Sequence, residues 1–166
     1  MTSVTTRPAV SNRLMLTTYA VGGFGLAVAF YYLGKGEQAA AASWAAAVAV
    51  GGSGVLSFVR HAVFHRSDAA RMGWDYGRRN DFQIEVGLAN LAIGVVGIAA
   101  WALGWGTAAE GAVVLVFGVY MLGAALLHGS EIRSSAEEGG GRFGPLLATV
   151  AFAGALVVLG VAAVNA

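Results

Sequence analysis

The chain has 166 residues, of which 57% are hydrophobic and 11% charged, with 25 glycines and no cysteine. Soluble domains carry about 25% charged residues, so a chain this poor in charge cannot cover itself with polar surface in water. The missing cysteine excludes disulfides, thiol nucleophiles, iron–sulfur ligation and cysteine–zinc sites; the net charge of +1 informs only through its distribution.

Crossing ~30 Å of hydrocarbon at ~1.5 Å per residue takes about 20 residues, and five stretches are long enough. The first, residues 14–33, ends in the belt-like pair Tyr31–Tyr32. Arg7 and Arg13 precede it as the n-region of a signal peptide would. The apolar run is too long for an h-region and no small-x-small cleavage site follows, so the span reads as retained. The second, residues 39–59, is alanine-rich and only moderately hydrophobic.

The segment 60–81 that follows reads as a cytoplasmic loop carrying a short interfacial helix. Ser67 is its candidate cap, with Ala69, Ala70, Met72 and Trp74 towards lipid and Arg66, Arg71 and Asp75 towards water. The third span, residues 82–103, closes near Trp101 and Trp105; the fourth covers residues 107–128. The loop after it, residues 129–142, contains a glycine run with nothing to pack. Pro145 opens the fifth span, residues 145–164, at the position proline favours. The expected fold is a single all-α domain over 1–166: an integral membrane bundle of five transmembrane helices plus one short interfacial amphipathic helix.

Charge tests the count independently. Five spans put Arg7, Arg13, Arg60, Arg66, Arg71, Arg78, Arg79, Arg133 and Arg142 on one side and Lys35 alone on the other. Short Lys/Arg-rich loops stay cytoplasmic, so the N-terminus is expected inside and the C-terminus outside a bacterial cytoplasmic membrane.

Polar residues in apolar spans are costly and therefore candidates for function. Gln83, Gly87, Asn90, Gly94 and Gly97 fall on one helical face, and Glu85 lies on another with Phe82 and Ala89. Glu85, Gln83 and Asn90 are candidates for a polar pocket or a proton-accepting site. Against this, Asn80 and Gln83 match a capping box, and a glycine face also serves close helix contact. His61 and His65 are spaced i, i+4 and His128 ends the fourth span at the same side. Together they are a candidate metal or haem set, although no HExxH pattern is present. Glu110 and Lys35–Glu37 read as solvated, while Ser43, Ser53, Ser57 and Thr149 can bond back to their own helix carbonyls. No nucleophile elbow or phosphate-cradling loop occurs, and acidic residues interleave the arginines, which argues against nucleic acid.

The stretch from His61 through Ala69–Trp74 to Phe82-Gln-Ile-Glu-Val-Gly-Leu-Ala-Asn90 and Gly94 resembles a family of small bacterial integral membrane proteins of unknown function. Its pattern is a histidine, A-x-x-x-G-W, then F-Q-x-E-x-G-x-A-N, with His128 and Gly144–Pro145 also fitting. Where that pattern often has Ser-Pro before Phe-Gln, this chain has Asn80–Asp81. In shape the family is similar to four-helix DoxX-type proteins. The resemblance implies added weight for Glu85 and His128 but no activity. Three functions follow as expectations. One is a non-enzymatic accessory subunit or homo-oligomeric assembly protein of the bilayer. The others are a small-solute or proton carrier using Glu85, and a haem- or quinone-binding redox subunit. No cofactor is required by the sequence.

Overall fold

A helix satisfies its backbone hydrogen bonds internally, which suits a chain with so little polar surface around it. The computed structural model describes residues 7–73, 79–134 and 143–166, and these form an all-α bundle. The helices are α1 (Pro8–Gly34), α2 (Gln38–Val63), α3 (His65–Met72), α4 (Asp81–Ala102), α5 (Thr107–Ser134) and α6 (Phe143–Val164). All but α3 contain a stretch long and apolar enough to cross a membrane.

The central helix is α2: half of its apolar window is buried, against 28% in each of the other four. Small side chains make this possible. Ala41, Ala42, Ala45, Ala46, Ala49 and Val50 are all at most 2% exposed. Close backbone approach, rather than water release, is what holds apolar helices together when their surroundings are also apolar. The contact with α4 is one such case. A Cβ on Gly54 would lie 2.6 Å from the Asn90 carbonyl and 2.8 Å from the Gly94 Cα. On the other side, α1 meets α2 where Gly25 faces the Ala49 backbone. The α5–α6 hairpin closes in the same manner at Gly111, Gly118 and Gly160, with Phe117 and Leu156 fully buried between hairpin and α2.

Two stretches of α2, Ala45–Gly52 and Val59–Val63, are wound as π-helix, with i→i+5 bonds that rotate the side chains away from a 3.6-residue pattern. The helix breaks at Phe64, and α3 ends at Gly73, whose φ of 76° only glycine adopts freely.

Several boundaries differ from expectation. The first helix begins at Pro8 rather than residue 14, because Pro8 is preorganised for the first turn and Ser11 and Arg13 are simply its polar end. The second runs through Arg60 and His61 to Val63, and the fourth continues past His128 to Ser134. The sidedness expected of α3 is corrected. Ser67, Asp68 and Ala69 are buried against the rest of the protein, not turned to lipid or water. Ser67 does not cap α3; its hydroxyl accepts the Arg7 backbone N–H at 3.1 Å. Arg71 turns inward as well. Trp74, Asp75, Arg78, Arg142 and most of the loop after α5 lie outside the described residues.

Candidate functional site

Of the side chains brought together at one end of the bundle, Asp68 is the centre. Its side chain is completely buried. Four elements supply its partners: Ser11 from α1, Arg60 and His61 from the end of α2, Arg71 from α3 itself, and Gln83 from the first turn of α4. Oδ1 accepts from the Ser11 hydroxyl and from Arg71 Nε at 3.0 Å, and Arg71 Nη2 pairs with it by charge at the same distance. Oδ2 accepts from Gln83 Nε2 at 3.1 Å and faces His61 Nδ1 at 2.9 Å, off the line of an ideal hydrogen bond. Arg60 Nε stands farther off, 3.9 Å from Oδ1.

Arg60 also donates through Nη2 to His61 Nε2 at 2.6 Å. A guanidinium has no lone pair to offer, so Nε2 is the acceptor and the neutral ring carries its proton on Nδ1, facing Asp68. Burial alone would raise the Asp68 carboxyl; the His61 contact and the positive charges of Arg60 and Arg71 override it and hold the group well below its ordinary value of 3.8. The node is thus a buried carboxylate with both oxygens engaged, clamping α1, α2, α3 and α4 at one end.

Gln83 reaches Asp68 because α4 starts beside α3. The Asn80 side chain accepts the Gln83 backbone N–H at 3.1 Å, the expected N-cap. The expected small-and-polar face of α4 is also observed: Gln83, Gly87, Asn90, Gly94 and Gly97 are its buried residues. Asn90 donates to the Val86 carbonyl at 2.7 Å and to the Tyr120 hydroxyl of α5 at 3.1 Å. It serves a helix joint rather than a pocket.

The remaining candidates are not gathered. Glu85 is exposed on the outer face of α4, with no polar partner among the described residues, and therefore shares no pocket with Gln83 or Asn90. His61 and His65 do not act as a pair. The break at Phe64 separates them, and His65 Nδ1 donates instead to the Ala62 carbonyl at 2.9 Å. His128 is exposed near the end of α5. Among the described residues no three histidine or acidic side chains come close enough to hold a metal ion.

Two residues expected to be solvated or self-bonded are joined to each other. Glu110, 5% exposed, accepts from the Ser43 hydroxyl of α2 at 2.8 Å near the opposite end of the bundle. Thr149 does bond back to its own helix, at the Pro145 carbonyl. Sequence reasoning passed over Asp68, Ser11, Arg60 and Arg71. One signal was available: Asp68 is the only acidic residue among the basic residues between Arg60 and Arg71.

The chain belongs to a family of unknown function, DUF6790, whose model matches residues 13–166. No curated protein and no solved structure matches it.

Proposed function

We propose that this member of a family of unknown function is a multi-pass protein of the bacterial cytoplasmic membrane. It works as a non-enzymatic assembly subunit, with its N-terminus in the cytoplasm. The orientation rests on the nine-to-one Lys/Arg distribution between the two ends. The assembly role rests on Glu85. Four residues into α4, about 6 Å along the axis, this carboxylate sits on the outward face near exposed Phe82 and Leu88. Ionisable residues near hydrocarbon face a protein interior or a partner, and among the described residues Glu85 has neither. A neighbouring helix that offers a basic or hydrogen-bonding group at headgroup depth supplies what it lacks.

A chain without cysteine makes the test direct. Single cysteines at Ala89 and Leu88, on the Glu85 side of α4, are expected to cross-link to a second copy or another protein in native membranes. Glu85→Gln should reduce the product severalfold. Cross-linking that is equal from α4 and from the outer face of α6, and unaffected by Glu85→Gln, would reject this face as the assembly surface.

A further inference from the structure

The corner where α1 and α3 begin has bonding capacity that no described residue uses. Arg66, in the first turn of α3, has its Nε closed to solvent with no hydrogen-bond partner among the described residues. The next residue back, His65, leaves Nε2 equally closed and unbonded. Since His65 Nδ1 donates to the Ala62 carbonyl, the neutral ring presents Nε2 as an acceptor. A buried donor and a buried acceptor, neighbours in the chain, both lack partners among the described residues. Leaving such groups unmade is costly, which implies a ligand or ordered solvent that completes them.

Charge selects among ligands. The bond from the Arg7 backbone N–H to Ser67 Oγ, 3.1 Å, places Arg7 beside the same turn, with its side chain exposed. Asp68 is engaged by Arg60 and Arg71, and Asp81 by Arg79. Arg7 and Arg66 have no carboxylate partner among the described residues, so the corner is positive and suits an anion. Its depth selects further. Val63 and Phe64, which directly precede His65, are 57% and 37% exposed where α2 ends. Exposed apolar residues beside arginines that no described carboxylate neutralises are the pattern of an acyl-chain boundary under a headgroup.

We infer that the α1–α3 corner binds an anionic phospholipid with a hydroxylated headgroup: phosphate on Arg66 and Arg7, headgroup hydroxyl on His65, acyl chain along Val63 and Phe64. Phosphatidylglycerol has this chemistry. The inference rests on the membrane reading above.

The test uses full-length protein in nanodiscs of phosphatidylcholine doped with phosphatidylglycerol, with retained lipid measured by native mass spectrometry. Wild type should retain phosphatidylglycerol over phosphatidylcholine, and Arg66→Gln and Arg7→Gln should each lower that preference about fivefold. The helical circular dichroism of each variant is checked first, and Arg13→Gln, away from the corner, should leave retention unchanged. Millimolar inorganic phosphate should not displace the lipid; displacement, or retention insensitive to both substitutions, overturns the site. Protein that inserts into nanodiscs without lipid preference refutes this site alone, whereas protein that fails to insert refutes the membrane reading.

Discussion

Replacing Asp68 with asparagine preserves the shape of the side chain and removes its charge. The node then holds Arg60 and Arg71, only 13% and 21% exposed, with no carboxylate between them. Removing one partner from a buried ion pair costs about 3–5 kcal/mol, because the remaining charge is stranded. Asparagine also presents an amide NH2 to at least one donor that had met oxygen. A merely polar node would lose ~1 kcal/mol, the usual worth of a neutral hydrogen bond. The expected loss is therefore ~3 kcal/mol or more, read from unfolding of the purified protein in mixed micelles against denaturing detergent. Arg71→Gln should lose less, about 1.5–3 kcal/mol, since Ser11, His61 and Gln83 still hold the carboxylate. The double variant should lose less than the sum, as groups sharing one network couple. An Asp68→Asn loss below ~1 kcal/mol, or strict additivity with Arg71→Gln, would refute the claim that charge holds these four helix ends together.

Stability should respond to acid through the same group. Its folded-state carboxyl is held below 3.8, so the unfolded chain takes up the proton first. The contribution is complete well above that value and is lost as pH falls through it towards the lower folded-state value. Asp68→Asn should flatten that segment of the pH–stability curve; an unchanged acid limb would show that Asp68 does not cause it. Gly54→Ala places a methyl against the Asn90 carbonyl and Gly94 backbone, and should cost about 1–3 kcal/mol or more. Gly23→Ala, with nothing within 4 Å of the new Cβ, should be neutral or gain up to ~1 kcal/mol from helix propensity. The same unfolding assay compares them, and equal effects would contradict the α2–α4 contact. Ser43→Ala deprives buried Glu110 of its donor and should cost ~1.5–3 kcal/mol. Recovery in Ser43→Ala/Glu110→Gln would confirm the pairing, and no loss in Ser43→Ala would refute it.

The parts legible in the sequence were those written in local periodicity. Hydropathy and length located the five long helices. The 3.6-residue spacing of Gln83, Gly87, Asn90, Gly94 and Gly97 identified the buried face of α4, and Asn80 identified its cap. What the sequence left hidden is long-range. Ser11 and Asp68 are 57 residues apart, and Ser43 and Glu110 are 67 apart, so no window contains either pair. The π-wound turns added a second obstacle. An i, i+4 pair shares a face only in continuous α-helix, and the winding through Val63 with the break at Phe64 dissolves the His61–His65 pairing. Glu85 was expected in a polar pocket, and it is exposed. The buried face of α4 belongs to the glycines, which lets α2 approach closely and leaves Glu85 outside.

The most direct test of the account is a topology map in intact cells, which the cysteine-free chain allows without background. Single cysteines at Gln38, Trp105 and Asn165 sit at one end of the bundle, and at Arg79 and Ser130 at the other; all five positions are exposed. With the N-terminus inside, a membrane-impermeant maleimide labels Gln38→Cys, Trp105→Cys and Asn165→Cys in intact spheroplasts, and labels Arg79→Cys and Ser130→Cys only after lysis. Labelling of either of the last two before lysis, or recovery of the protein in the soluble fraction, would contradict it.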